Sequence, residues 1–408
     1  MHIKLHHSLS DDPRARQAQQ LTRACVHCGF CLETCPTYLD QRDERDSPRG
    51  RIYLIKQLME EGEASSNTLQ HLDRCLTCRS CETTCPSGMR YGELLDIGRE
   101  VAEQAAPRPL HQRLMRWLLR KTITTRPLLH TGLAMARLLR PLLPPALATR
   151  IPLKKAPGKH SAGKAAATRT MIILEGCVQE AATPQTNAAA RRLLGNFGIA
   201  LVSASKAGCC GALNHHLSAS ADARREVRRN IDAWWPLIEN GAEAIISSAS
   251  GCGAMLADYG RLLADDPAYA DKAARVAALS CDLAQVVSTL PLDQLSLNTA
   301  VGKVSVHTPC TLQHALGQAG TVEAILRRAG FELANTRDNH LCCGSAGSYS
   351  LLQKDISARL REKKLDALTA DNPALIVSAN IGCQLHLHSA DGPPVLHWIE
   401  LLEPTANH

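Results

Sequence analysis

Cys25-x2-Cys28-x2-Cys31-x3-Cys35-Pro36 and Cys75-x2-Cys78-x2-Cys81-x3-Cys85-Pro86 are the two stretches that decide how this 408-residue chain is read. Three thiols separated by two residues wrap one face of an iron–sulfur cubane, because a tight turn swings their sulfurs round a common centre. A pair of zinc sites is the alternative. Zinc takes its ligands as two CxxC or CxxH pairs, which three consecutive CxxC steps closed by Cys-Pro match poorly.

The runs have the spacing of ferredoxins that hold two clusters. There the fourth thiol, three residues on and followed by Pro, points away from its own run and ligates the other cluster. This predicts two [4Fe–4S] clusters with crossed ligands. Cys25, Cys28, Cys31 and Cys85 would hold one, and Cys75, Cys78, Cys81 and Cys35 the second. Between the runs, Ser47-Pro48-Arg49-Gly50-Arg51-Ile52 opens a predicted helix. Ser47 caps it, Pro48 suits its first turn, Ile52, Ile55, Leu58 and Met59 supply an apolar stripe, and Gly62 closes it. Arg49 and Arg51 either offset the negative charge of the clusters or are simply solvated.

Seventeen cysteines far exceed the usual count. Met1–Ser10 is polar and His-rich, without the apolar core of a secretory signal, so metal ligands or catalytic thiols are expected rather than disulfides. At 45% hydrophobic residues the chain can bury substantial cores, whereas 3% aromatics speaks against a base-stacking nucleic-acid surface. The net charge of +7 is uneven. Gln104–Leu174 contains 14 Lys and Arg and no Asp or Glu, and the remainder carries 32 basic and 39 acidic residues.

Composition divides the chain into residues 1–103, with two cysteine runs; a basic, leucine-rich and proline-punctuated linker at 104–168; and two similar units at 169–290 and 300–404. Cys177, Cys209-Cys210-Gly211 and Cys252 form one set, and Cys310, Cys342-Cys343-Gly344 and Cys383 another, offset by 133, 133 and 131 residues. Apolar runs at 170–174, 303–307, 244–248 and 374–378 read as buried strands that lead into Cys177, Cys310, Cys252 and Cys383. Asp222–Ile238 and Asp355–Thr369 read as helices between them. The fold expected is α/β (α+β overall): a small helical two-cluster ferredoxin-like domain, then two repeated parallel-sheet cysteine-rich domains. Ligands of such sheets gather beyond the carboxyl ends of the strands, where these thiols fall.

The CCG unit resembles the cysteine-rich (CCG) domain of heterodisulfide reductases and their relatives, which can hold a non-cubane iron–sulfur cluster. That motif ends in CxxC. Here Gly-Ala-Met255 follows Cys252 and Gln-Leu-His386 follows Cys383, so each unit offers four thiols instead of five. The eight are candidates for additional metal or redox centres, against buried thiols that merely pack. Aligning 279–287 with 395–403 sets Cys281 opposite His397, where packing is the favoured reading. No role is assigned to His215, His216, His314, His386 or His388.

Two ferredoxin runs, an SPRGRI helix and two CCG units in this order resemble a family of respiratory iron–sulfur subunits. The family includes those of glycolate oxidase, anaerobic glycerol-3-phosphate dehydrogenase and lactate-utilisation complexes. Cys342-Cys-Gly-Ser-Ala-Gly-Ser-Tyr349 and Cys310-Thr-Leu-Gln-His314 look most like the glycolate oxidase type. The resemblance implies an electron-transfer subunit of a flavin-dependent 2-hydroxyacid dehydrogenase complex. A partner FAD protein oxidises glycolate to glyoxylate, and this chain relays electrons towards quinone at the cytoplasmic side of the inner membrane, or in the cytoplasm. The alternative is redox chemistry at the CCG centres, as in heterodisulfide reductases, or service to glycerol 3-phosphate or lactate. No GxGxxG or phosphate loop marks a flavin or nicotinamide site of this chain's own, and no nucleic-acid partner is expected. In the linker, Leu114, Trp117 and Leu118 with Arg113, Arg116, Arg120 and Lys121, then Leu128–Leu143, form a cationic amphipathic stretch. It suits either a lipid surface or an acidic partner.

Overall fold

The Ser47–Ile52 segment folds as its residues dictate. In the computed structural model, which describes residues 1–106, 108–142, 144, 151–152, 167–389 and 391–404, a helix spans Pro48–Glu61. The Ser47 hydroxyl accepts from the Gly50 amide at 3.0 Å, and Gly62 ends the helix at φ 73°. Gly50 is required by space: a Cβ there would lie 1.9 Å from the Glu44 carbonyl oxygen. One face of the helix buries Ile52, Ile55, Leu58 and Met59. They join Ile3, Leu72, Leu94 and Leu95 in a core that also contains Cys25, Cys75 and Cys81.

An ion network in the same unit centres on the buried Asp46. Asp46 Oδ1 accepts from Arg51 at 3.2 Å and lies 2.9 Å from His71 Nδ1, and its Oδ2 accepts from Arg74 at 2.9 Å. Arg51 also donates to the His71 carbonyl at 2.7 Å and to the Thr37 hydroxyl at 3.1 Å. A buried charge is tolerated only when paired and hydrogen-bonded, and every arm of this network is.

Contacts divide the chain into two units. The first is Met1–Leu119, His215–Ala219 and His340–Lys364; the second is Arg120–Asn214, Ser220–Asn339 and Leu365–His408. The second contains the sheets of both repeats. Strands β1 (Arg169–Leu174), β2 (Ile199–Val202), β3 (Ile245–Ser247) and β4 (Ser280–Asp282) form one parallel sheet in the order β2-β1-β3-β4. Strands β5 (Val304–His307), β6 (Leu375–Ser378) and β7 (Val395–His397) form the other, and a parallel bridge from Val304 to Leu333 occupies the place of β2. The expected strands and the helices Ser220–Glu239 and Lys354–Thr369 stand where the sequence puts them.

The strands are apolar throughout because both faces are covered. Met171 and Ile173 face a core shared with Val304, Val306 and Trp398 of the second repeat; Ile172 and Leu174 face another with Cys209, Cys210 and Trp234. The Ser250 amide donates to the Ala379 carbonyl at 3.0 Å, so the repeats also join through backbone.

Register corrects the alignment of the last strands by one residue. Ser247 pairs with Asp282, and Ser378 with His397, so His397 corresponds to Asp282 and not to Cys281. Both are helix caps. Asp282 accepts from the Ala284 amide at 2.8 Å, and His397 Nδ1 from the Ile399 amide at 3.2 Å. Burial pushes the Asp282 carboxyl up to about 7 and the His397 ring down to about 4, so each caps in its neutral form at moderately acidic to neutral pH.

The linker forms two helices, Leu110–Thr124 and Arg126–Leu139, and neither contains a buried residue. Its expected continuation to residue 168 lies largely outside the described residues. Among the described residues, no helix is long and apolar enough to cross a membrane.

Two stability measurements check this account. Asp46→Asn strips the shared carboxylate from Arg51 and Arg74 and should cost about 3–5 kcal/mol, read as a lower urea midpoint. For Asp282, the folded carboxyl keeps its proton up to about 7 while the unfolded one releases it at 3.8. The stability it contributes is therefore whole below the unfolded value and is lost as pH rises through about 7. Asp282→Asn keeps the cap and should flatten that part of the pH–stability curve; an unchanged slope would contradict the assignment.

Candidate iron–sulfur and thiol sites

Both cysteine runs are wound by the same local backbone. His27 and Gly29 have φ of 57° and 87°, and at equivalent positions Thr77 and Arg79 have 54° and 59°. Left-handed residues at the second and fourth places after the first cysteine tighten the loop. Three of these four residues are not glycine, a strain that persists only where the surroundings enforce it.

Cys35, Cys75, Cys78 and Cys81 line one cavity, together with Arg51 and Tyr91. The structure thus brings the fourth thiol of the first run to the three of the second. Groups that hydrogen-bond sulfur surround it. Tyr91 Oη lies 3.6 Å and the Thr77 amide 3.5 Å from Cys75 Sγ, and Thr37 Oγ1 lies 3.3 Å from Cys35 Sγ. Burial opposes the charge on Arg51, but Cys75, Tyr91, Cys35 and Asp46 outweigh it and hold the guanidinium protonated. Of the two arginines in the SPRGRI helix, then, Arg51 faces the thiols from within. Arg49 is partly exposed and pairs with Glu44 at 2.6 Å. Four converging thiols, a buried cation and sulfur-directed donors fit an anionic iron–sulfur cluster.

The first run is identical in spacing but differs in exposure. Cys28 is exposed, and its neighbours Val26 and Phe30 are 67% and 62% exposed. Their counterparts Leu76 and Ser80 are 6% and 1% exposed, and Cys78 is buried. Burial pushes the Cys31 thiol up to about 11. At Cys85 burial acts the same way, yet the Ser87 hydroxyl and the amides of Met89, Ser87 and Gly88 draw the thiol down. Cys31 and Cys85 pack against the same core as Cys25.

In the first repeat, Cys177 opens a helix at the carboxyl end of β1, and Cys252 lies on the Ser250–Ala257 helix after β3. Cys177 Sγ stands 3.7 Å from Cys209 Sγ. Cys210 hydrogen-bonds both Cys209 and Cys252, so all four thiols form one chain of contacts. Hydrogen bonds from Cys177 and Cys210 pull the Cys209 thiol well down. The loop is pinned by residues that the motif did not reveal. Asn230 donates to the Cys209 carbonyl at 2.8 Å and accepts from the Gly208 amide at 2.8 Å; Tyr259 donates to the Cys210 carbonyl at 2.8 Å. Glu226, pushed up to about 7 by burial and then by the charge of Cys209, accepts from Asn214 at 2.8 Å. These residues sit on helices that read as ordinary charged or apolar segments, so no local pattern marked them.

In the second repeat, Cys342 and Cys343 belong to the first unit, and Cys310 and Cys383 to the second. Gly344, at φ +86°, lies against the Ser357 carbonyl, which a Cβ would approach to 2.8 Å. Ser357 Oγ in turn donates to the Gly344 carbonyl at 2.8 Å. Cys310 and Cys383 follow the carboxyl ends of β5 and β6, and Asn380 donates to Cys383 Sγ at 3.3 Å. His307 stands where the first repeat has Leu174 and lies 3.0 Å from Ser378 Oγ. His215 is held 2.9 Å from Asp96, a hydrogen-bonded histidine as expected.

A 4Fe-4S dicluster domain model matches residues 22–89, and a cysteine-rich domain model matches 171–257 and 304–388. The glycolate oxidase iron-sulfur subunit of Escherichia coli K12 is 48% identical, over 99% of this chain and 98% of its own length. The probable glycolate oxidase iron-sulfur subunit of Bacillus subtilis 168 is 31% identical, over 89% and 87%. Lactate utilization protein A of Bacillus licheniformis is 26% identical over 48% of this chain and 82% of its own. In fold alone, the crystal structure of a hypothetical protein from Helicobacter pylori superposes with a TM-score of 0.55 at 9% identity, over 95% of this chain and 71% of the other. Paired cysteine runs, a duplicated CCG sheet and near-full-length identity lead to one conclusion: the chain is an iron–sulfur protein of the glycolate oxidase iron–sulfur subunit family.

Proposed function

We propose that this chain is the electron-carrying subunit of a glycolate dehydrogenase complex. A partner subunit containing FAD oxidises glycolate to glyoxylate, and this chain delivers the electrons towards quinone. The observation that carries the reading is the convergence of Cys35 with Cys75, Cys78 and Cys81 on one buried cavity that also holds Arg51. In this reading those four thiols hold one [4Fe–4S] cluster, and Cys25, Cys28, Cys31 and Cys85 the other. Such clusters supply one-electron transfer at a potential set by charge, hydrogen bonds and solvent access. The residues act on those terms. Arg51 offsets negative charge at the buried site, Tyr91 and Thr37 place hydroxyls at sulfur, and the apolar core keeps water out. The exposed rim of Val26, Cys28 and Phe30 is where a redox partner approaches most closely.

The division into residues 1–103, 104–168, 169–290 and 300–404 belongs to this proposal. So does a further metal or redox centre at Cys177, Cys209, Cys210 and Cys252, supported by their chain of contacts, and a counterpart at Cys310, Cys342, Cys343 and Cys383. No catalytic residue for glycolate is assigned to this chain.

Iron and acid-labile sulfide counts give the first test: about eight iron atoms per chain correspond to two cubanes, and a clear excess to occupied CCG units. In the assembled complex, Cys78→Ser should stop electron delivery to quinone while substrate still reduces the flavin. Loss of flavin reduction as well would move the role from relay to assembly. Crossed ligation has its own signature: Cys35→Ser and Cys78→Ser should alter the same cluster's electron paramagnetic resonance signal, and Cys85→Ser the other.

A further inference from the structure

Residues His340–Lys364 lie in sequence within the second cysteine-rich repeat, yet they belong to the first unit, together with both cysteine runs. They carry Cys342 and Cys343 and, at the end of the loop that follows, Tyr349. That loop is tightly wound. Gly344, Ala346 and Gly347 all have positive φ, of 86°, 35° and 63°, and Ala346 holds this conformation against the preference of its Cβ. The Tyr349 amide donates to the Ala346 carbonyl at 3.1 Å and the Ser350 amide to the Ser345 carbonyl at 3.3 Å, which closes the turn.

The segment holds on at two points, and they adjoin the two stretches whose thiols converge on the buried cavity. Tyr349, only 6% exposed, donates from Oη to the Arg74 carbonyl at 3.0 Å, and the peptide it fixes is the one that leads into Cys75. Arg359 and Lys363 pair with the buried Asp40 carboxylate at 2.7 and 3.2 Å. Asp40 lies on the Pro36–Gln41 helix, which starts directly after Cys35. Burial pushes the Tyr349 hydroxyl far above the ordinary tyrosine value, and the charges that act on it are those of Arg51, Cys75, Cys342 and Asp46. Tyr349 is therefore a neutral donor within electrostatic reach of both Cys75 and Cys342.

We propose that Tyr349 is a positioning residue for the buried cluster, a side chain supplied by the second repeat that sets the reduction potential of the centre at Cys35, Cys75, Cys78 and Cys81. The inference rests on reading those four thiols as cluster ligands. By donating to the Arg74 carbonyl, the hydroxyl cancels part of the negative end of a peptide dipole beside an anionic centre. Reduction adds one more negative charge to that centre, so a carbonyl without its donor disfavours the reduced form. The Cys75 loop has other anchors. The Arg74 guanidinium is held by Asp46 at 2.9 Å, and the Cys75 amide donates to the Leu72 carbonyl at 3.2 Å.

The test is a redox titration of the full, cluster-loaded chain followed by electron paramagnetic resonance. Tyr349→Phe keeps the ring and removes the hydroxyl. At a fixed potential it should lower the reduced-to-oxidised ratio about threefold, roughly 30 mV, in the signal that Cys35→Ser also alters, and leave the other signal in place. Tyr91→Phe, which takes a hydroxyl from Cys75 Sγ itself, should move the same signal in the same direction. Tyr53→Phe, at a half-exposed tyrosine of the same unit, should move neither. Selective loss of the buried cluster's signal in Tyr349→Phe, with the other intact, also places the residue at that cluster. No shift, a parallel shift of both signals or the loss of both overturns the proposal. If Cys35→Ser changes no signal of the parent, the reading of the four thiols fails and this inference with it; if Cys35→Ser acts and Tyr349→Phe does not, this inference alone fails.

Discussion

Sulfur atoms from segments some forty residues apart in sequence must meet in one enclosed space, and much of the first unit is arranged round that demand. Bringing Cys35 to Cys75, Cys78 and Cys81 requires tight loops, which the left-handed residues supply, and it requires a fixed separation between the segments. The Pro48–Glu61 helix sets that separation. Its apolar stripe enters the core that contains Cys25, Cys75 and Cys81, and Arg51 reaches from it to Thr37, Asp46 and His71 at once. The Asp46 carboxylate lets a guanidinium stay charged without water beside the thiols. The same group therefore balances the charge of a buried site and ties its two sides together.

The second unit meets a similar demand with different means. Parallel strands end at one edge, and chain leaving that edge must turn sharply, so residues placed just after β1 and β3 come near one another. The first repeat uses this to set four thiols in contact. Its CCG loop is held by Asn230 and Tyr259, whose hydrogen bonds go to backbone and leave sulfur unencumbered. The duplication has preserved geometry more faithfully than chemistry. Asp282 and His397 occupy the same register and both cap a helix, one as a neutral acid and one as a neutral base. Leu174 and His307 share a position, so the two sites have unlike surroundings.

The relatives fit this physical picture. A chain with two cysteine runs at different depths has one site sheltered from water and one at the surface, and that asymmetry suits a carrier that must also hand electrons over. Solvent access and charge set the potential of such sites, so the buried arginine and the exposed rim act on the same property in different ways.

The sequence by itself determined the element types and the motifs. Spacing alone marked both cysteine runs, the SPRGRI helix with its cap and its closing glycine, the duplication, and the strands that precede Cys177, Cys252, Cys310 and Cys383, because these features depend on residues near one another in the chain. Register, depth and pairing needed the tertiary structure. Identical spacings left Cys28 exposed and Cys78 buried, since exposure depends on what packs over a loop. Arg49 and Arg51, two residues apart, parted company because a helix turns them about 200° from each other, and only Arg51 meets Asp46. The linker's composition announced a cationic amphipathic stretch. That Arg116, Arg120 and Arg126 pair within the chain was decided by Asp73, Asp222 and Glu180, carboxylates that no local reading could have brought to them.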